Sequence, residues 1–412
     1  MNNFMKFINK HICLILAMVS FVITLFVCNI SMAYTPQQLY DQVWKLVNTK
    51  YVDQTNNSQN WSTWRHKYDN EIKTNEDAYV AIDTMLASLN DPYTKFLDPK
   101  EFEEENSSIK GSLKGIGVQI GIRDSKLLII APMEDTPGEK AGLLAEDEIL
   151  EIDGESTKGI SVDKAADRIR GEEGTVVTLL IRRKGQPNKL YKITRAEIEV
   201  KAVSQKKPFD TQLNGKIGYI RLSSFISRNA STEFLAALEK NSDKKGYIID
   251  LRSNPGGLLT NAIVISDMLL NGGVIVSTVD RDGYKDTTRA TRKFITNKPI
   301  VVLINKGSAS ASEILSGALK DNQRALLVGE KSFGKGLVQE INKLYDGAGL
   351  NITIQKYLTP NGTDINKKGI EPDVTVELTE EDVKNKNDSQ LKKAEELLLK
   401  MIDLHAAKTA AI

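Results

Sequence analysis

Ile300-Val301-Val302-Leu303-Ile304-Asn305-Lys306-Gly307-Ser308-Ala309-Ser310-Ala311-Ser312-Glu313-Ile314-Leu315 contains a strand, a turn and the start of a helix without a break. The unbroken apolar, mostly β-branched run at 300–304 predicts a strand buried on both faces. The small residues after it predict a tight turn. Ser310 or Ser308 followed by Glu313 ahead of an apolar run carries the signature of a capped helix start. A buried strand feeding a helix through a short turn is the building unit of a layered α/β domain. The same texture extends outward on both sides. Strands are expected at Gly218–Leu222, Tyr247–Leu251, Val274–Val279, Ala325–Val328 and Leu350–Tyr357, and helices at Ser231–Lys240, Leu258–Leu270 and Ala311–Lys320.

Composition narrows the chemistry this domain can run. The chain has 412 residues, 55 Lys+Arg against 54 Asp+Glu, three histidines (His11, His66, His405) and two cysteines (Cys13, Cys28). A net charge of +1 leaves no electrostatic footprint for nucleic acid. Between 201 and 376 there is neither histidine nor cysteine, so a cysteine nucleophile, a thiolate metal site and a histidine base are all disfavoured there. Three turns follow predicted strands and can share one sheet edge. Ser308-Ala309-Ser310-Ala311-Ser312 places hydroxyls at a helix N-terminus, where backbone N–H groups can face a developing oxyanion, although simple capping explains it equally. Ser332-Phe333-Gly334-Lys335-Gly336 flanks a lysine with glycines that permit close backbone approach. A lysine with an ordinary pKa of ~10.4 becomes a base near neutrality only when burial lowers it. Gln339 stands where it can accept a hydrogen bond from such an amine. The phosphate-loop pattern is absent, because Gly336 follows Lys335 where Ser or Thr would be required. Asp250-Leu251-Arg252-Ser253-Asn254-Pro255-Gly256-Gly257 can expose glycine N–H groups. These turns point to a Ser–Lys hydrolase without choosing among the serines.

The rest of the chain divides by texture. Lys6, Lys10 and His11 precede an apolar run from Ile12 to Ile30, and Ser31-Met32-Ala33 follows with small residues. This predicts a signal peptide or membrane anchor over 1–33, with anchoring through residues 12–30 and an extracytoplasmic body, periplasmic or in the cell envelope. Residues 34–105 read as helical, with Leu39, Val43, Leu46 and Val47 on one face. Residues 106–200 read as short strands with one helix near Ser161–Arg170, a compact half-open barrel. A charged segment, 377–412, ends in an amphipathic helix from Ser389 to His405. The terminal helices are expected to seek a partner for their apolar faces, most simply in a homodimer.

Ser308-Ala309-Ser310-Ala311-Ser312-Glu313 followed by Ser332-Phe333-Gly334-Lys335-Gly336 resembles the signature of the carboxyl-terminal processing proteases, tail-specific serine proteases with a PDZ domain. Asp91-Pro92-Tyr93-Thr94-Lys95-Phe96, Gly115-Ile116-Gly117-Val118, Asp250-Leu251-Arg252 and Tyr357-Leu358-Thr359-Pro360-Asn361-Gly362 extend the resemblance over about 35–376. It implies Ser310 as nucleophile, Lys335 as base, Gln339 as the residue orienting the lysine, and the amides of Gly256 and Ala311 as oxyanion donors. It also makes 106–200 a PDZ domain whose Gly115, Ile116, Gly117 and Val118 receive a substrate's terminal carboxylate. Arg170, or Arg168 two residues before it, would link that domain to the core.

The expected fold class is therefore α/β (α+β) and multidomain: a layered α/β serine protease core at 201–376, an inserted PDZ domain, and helical N- and C-terminal segments. The expected activity is an exported endopeptidase acting on proteins with apolar C-terminal tails, with no metal or cofactor. A PDZ scaffold that binds tails without cutting would not need Ser310 with Lys335. A crotonase-like acyl-CoA enzyme would explain neither the PDZ domain nor the export segment.

Overall fold

The computed structural model describes residues 34–410, apart from 124, 134, 135, 145 and 200. The export or anchor segment expected over 1–33 lies outside the described residues. Among the described residues, no helix is long and apolar enough to cross a membrane.

The centre is a six-stranded sheet in the order Val203–Ser204, Ile217–Leu222, Gly246–Asp250, Ile300–Ile304, Leu326–Gly329 and Val374–Thr375. All but the first pair run parallel. Gly246–Asp250 and Ile300–Ile304 are buried along their whole lengths, as central parallel strands covered on both faces must be. Alternate residues face opposite ways. Ile249, Ile300, Val302 and Ile304 pack with helices Ala230–Lys240, Leu259–Leu269 and Ala311–Asp321. Ile248, Val301 and Leu303 pack with Leu391, Ala394, Leu398 and Ile402 of the C-terminal helix Ser389–Ala410.

Two of the expected strands belong elsewhere. Val274–Asp280 and Gly349–Leu358 lie in a separate antiparallel sheet with Lys95–Leu97, Lys285–Arg289 and Leu337–Lys343. Helices Pro36–Lys50 and Asn75–Ala87 cover part of this sheet. Their Leu39, Tyr40, Val43, Val47, Ile82 and Met85 share a core with Leu344, Leu350 and Ile352. Both helices begin with reciprocal capping boxes, at Thr35 with Gln38 and at Thr74 with Asp77. The apolar faces on which the dimer expectation rested are thus covered within the chain at both ends.

In sequence between the N-terminal helices and the strands of the central sheet comes a half-open antiparallel barrel built from Val118–Arg123, Lys126–Pro132, Glu148–Ile152, Val176–Arg182 and Lys189–Thr194, with helix Val162–Ile169 across it. Its core is independent of the others and includes Ile116, Ile129, Leu143, Val177 and Leu179. Ser112–Gly115 pairs with Ala196–Glu199 to form the neck through which the chain enters and leaves.

A buried ion cluster ties the C-terminal segment to the central sheet. Arg252 donates to both carboxylate oxygens of Asp250 and to both of Asp388, while Tyr219 Oη donates to Asp250 at 2.7 Å. Breaking a buried pair from one side costs about 3–5 kcal/mol, because the remaining charge stays desolvated. Arg252 retains Asp250, so Asp388→Ala is expected to lose about 3 kcal/mol. Guanidinium unfolding followed by circular dichroism measures this loss, and an unchanged midpoint would show that the docking contributes nothing.

Candidate active site

Three turns leave the C-terminal ends of adjacent parallel strands, where open α/β sheets place their sites. They are 251–258, 305–310 and 330–336, and side chains and amides cross-link them. Asn305 Oδ1 accepts from the N–H of Ser253 at 2.7 Å and of Gly307 at 3.0 Å. The Ala309 N–H donates to Asn254 O at 3.0 Å, and the Phe333 N–H donates to Ser308 O at 3.0 Å.

These bonds separate the three serines. Ser308 is fully buried and its hydroxyl donates to Leu251 O at 2.8 Å. Ser312 is fully buried and donates to Asn254 O at 2.9 Å. Ser310 alone of the three lines a cavity of about 380 Å3, where Lys335, Gln339, Tyr93, Gly257 and Ile314 also contribute walls. Its backbone sits at φ 54°, ψ −113°, a strained conformation for a residue with a Cβ. Such strain persists only where the surroundings over-determine it, and the cross-links above do so. Tyr357 Oη adds another by donating to Ser310 O at 3.1 Å.

The capping box expected at this helix start is present in part and extended. The Glu313 carboxylate accepts the Ser310 N–H at 2.8 Å, as a cap partner does. The same carboxylate accepts Ser332 Oγ at 2.5 Å, the Gly334 N–H at 2.7 Å and the Lys335 N–H at 2.9 Å. One buried side chain therefore sets the serine turn and the lysine turn in register. Sequence reasoning identified Glu313 as a cap and missed this second role, which requires the fold to bring 332–335 across.

Lys335 reaches the cavity because its neighbour Gly334, at φ +91°, passes so close to Gly369 that an added Cβ would lie 2.8 Å from the Gly369 N. Burial holds the Lys335 amine below the ordinary lysine range; Lys95 acts in the same direction, and Asp91 and Glu105 oppose it. The Nζ lies 4.4 Å from the centroid of the Tyr93 ring. Among the described residues, no hydrogen bond joins Lys335 Nζ to Ser310 or to Gln339. Gln339 Nε2 instead donates to Thr353 Oγ1 at 3.4 Å, so the expected lysine–glutamine bond is not made in this conformation.

Gly256 lies against the serine turn: a Cβ there would fall 2.9 Å from both Ser310 Cβ and Ala311 N. Its N–H donates to Asn254 Oδ1 at 2.9 Å, so the amide expected to face an oxyanion is occupied in this conformation. Ala311 opens helix Ala311–Asp321 and is fully buried. His66 is exposed beside Asp69, and neither it nor His405 lines the cavity.

A second groove, of about 260 Å3, runs on the barrel between Val118–Arg123 and helix Val162–Ile169. Gly115, Ile116, Gly117 and Val118 line one end. The Ile116 side chain belongs to the barrel core, and the Ile116 and Gly117 carbonyls accept from the Gly138 and Met133 N–H groups. Val118–Arg123 is an edge strand with one partner, Lys126–Pro132. The two arginines separate here. Arg168 pairs with Glu155 on the barrel's own surface, whereas Arg170, besides Asp167 of its own helix at 3.6 Å, pairs at 3.1 Å with Glu104 of helix Pro99–Lys110, outside the barrel.

Residues 216–376 match the model of peptidase family S41, and residues 128–183 match that of the PDZ domain. The chain is 45% identical to a carboxyl-terminal-processing protease of Synechocystis sp., over 84% of this chain and 82% of that one. It is 37% identical to the chloroplastic carboxyl-terminal-processing peptidase 2 of Arabidopsis thaliana, over 81% of this chain and 68% of that one. Among solved structures it resembles a photosystem II D1 C-terminal processing protease, with a TM-score of 0.58 and 33% identity, covering 84% of this chain and 94% of that one. A strained serine and a half-buried lysine whose turns share one carboxylate, beside a barrel with an open groove, are thus carried by a chain that belongs to the carboxyl-terminal processing proteases of peptidase family S41.

Proposed function

We propose that the protein is an exported endopeptidase that captures proteins by an apolar C-terminal tail and cleaves them with Ser310 and Lys335. The observation that carries this reading is the sharing of one cavity by Ser310 and a lysine whose amine burial keeps below its ordinary range. Neutral Lys335 takes the Ser310 Oγ proton as Oγ attacks the scissile carbonyl carbon. The resulting oxyanion is held by the Ala311 amide and by Gly256, which exchanges its Asn254 bond for the new acceptor. The Lys335 ammonium then gives its proton to the leaving amine as the C–N bond breaks, leaving an ester on Ser310. Water adds to that ester while Lys335 accepts its proton, and collapse returns the proton to Ser310 Oγ. The amine must swing from Tyr93 toward Ser310 for this to occur; catalytic contacts commonly tighten only once substrate is bound. Gln339, on the same wall, is placed to accept a hydrogen bond from the amine after that movement.

The barrel groove fits the capture step. Val118–Arg123 offers an unpaired edge to an incoming strand, and Ile120, Met133, Val162, Ala166 and Ile169 give the groove apolar walls. Export is supported by the basic, then apolar, then small-residue order of residues 1–33.

Purified protein incubated with an unfolded substrate ending in apolar residues should cleave it, and Ser310→Ala and Lys335→Ala should each reduce kcat by at least about 10³-fold. Comparable cleavage by either variant would overturn the mechanism. Because the ammonium form of Lys335 cannot act as base, kcat/KM should fall as pH drops through its lowered pKa. The acid limb should therefore lie below the ordinary lysine range. Glu313→Gln keeps the side-chain length but turns an NH2 group toward backbone donors. It should lower kcat by about 10²-fold, the scale expected of a small misplacement of reacting groups, while changing KM little. A change confined to KM would place Glu313 in substrate binding instead.

A further inference from the structure

The cavity that holds Ser310 and Lys335 is not closed by the segment 216–376 alone. Its wall over the lysine comes from Pro92 and Tyr93, in the turn 91–94 that lies before the barrel and outside both matched segments. This turn is built rigidly. Asp91 accepts the Tyr93 N–H at 3.0 Å through one carboxylate oxygen and Thr94 Oγ1 at 2.7 Å through the other. Thr94 Oγ1 in turn accepts the Thr353 N–H at 3.0 Å, and Thr353 Oγ1 is the acceptor for Gln339 Nε2. The turn is thereby locked to the strand that backs the catalytic wall, and it delivers the Tyr93 ring face to the Lys335 amine.

We propose that Tyr93 is a positioning residue of the catalytic centre, its ring covering the Lys335 amine and keeping water from it until the amine turns to Ser310. The proposal rests on Lys335 being the base. Two effects of an aromatic face oppose each other here. The ring quadrupole attracts the ammonium form, whereas the loss of hydration favours the neutral amine. Burial is the largest influence on Lys335 and sets the net direction downward. The charged groups facing the amine are Asp91 and Glu105, which favour the ammonium, and Lys95, which disfavours it. Glu313 is committed to the backbone N–H groups of 310, 334 and 335. With the two carboxylates outnumbering Lys95, the apolar cover is what keeps the amine available as a base.

The test is the pH profile of kcat/KM for the full chain, over about pH 6 to 11, a span that brackets the ordinary lysine pKa. In Tyr93→Ala, water reaches the amine, and the acid limb should move alkaline by about one pH unit, a loss of roughly tenfold at neutral pH. Activity should return toward the wild-type plateau at high pH, which a merely structural defect would not allow. Tyr93→Phe restores the ring and should bring the limb back toward its wild-type position. If Tyr93→Ala does not fold, Tyr93→Gln, which keeps bulk but sets a hydrated amide against the amine, carries the same expectation. A limb that stays in place, moves acidic, or falls uniformly at every pH overturns the assignment of Tyr93. Cleavage that survives in Lys335→Ala overturns the Ser–Lys reading itself, so the two failures are told apart.

Discussion

Glu313 is the carboxylate on which the geometry of the centre depends. It stands in the first turn of a helix, where the partial positive charge of unpaired N–H groups favours an anion. In an ordinary capping box such a residue satisfies one backbone donor. Here it accepts from Ser310, Ser332, Gly334 and Lys335 together, and it is 1% exposed. Charge-assisted hydrogen bonds are short and roughly twice as strong as neutral ones, and their strength increases away from water. Four of them on one carboxylate fix the distance between two loops that have no covalent link nearby. The strain stored in the Ser310 backbone depends on the same arrangement, since its N–H is held by Glu313 and its carbonyl by Tyr357.

A similar logic operates one strand away. The turn carrying Gly256 includes, near its start, Arg252, whose guanidinium is shared by Asp250 and Asp388. A planar fork with several fixed donors suits that sharing in a way a lysine would not. The C-terminal helix therefore covers the second face of the sheet with apolar residues, and Asp388, just before it, anchors the start of the glycine turn. Its place in the molecule is that of a third layer around the catalytic edge.

What the sequence made legible follows from the range of each interaction. Ile300–Ile304 and Tyr247–Leu251 were readable because burial on both faces demands unbroken apolar runs, a purely local signal. The amphipathic faces at 34–90 and 389–405 were readable as faces to be buried. Periodicity says that a stripe needs cover without saying what covers it, and both stripes found their cover within the chain. The serine turn could not be resolved by residue type, because capping and nucleophilic attack call for the same small hydroxyl residues at the same place. The acceptors that hold Ser308 and Ser312 away from the cavity, Leu251 O and Asn254 O, lie more than fifty positions away in sequence. Asp388 and the ring contact of Tyr93 are longer-range still.

The absence of histidine from 201–376 takes on a physical meaning beside this geometry. A histidine base is usable near neutrality as it stands, so its site can remain wet. A lysine base must be kept dry, which calls for walls on every side of a long flexible side chain. The core supplies some of those walls through Leu337, Val338 and Tyr357. The remainder has to come from another part of the chain, and the segment that closes the cavity, Pro92 and Tyr93, leads through helix Pro99–Lys110 directly to the barrel neck. A Ser–Lys mechanism as proposed would thus make the catalytic centre dependent on segments outside the core. The PDZ domain is inserted next to that wall, where its Arg170 touches the connecting helix at Glu104.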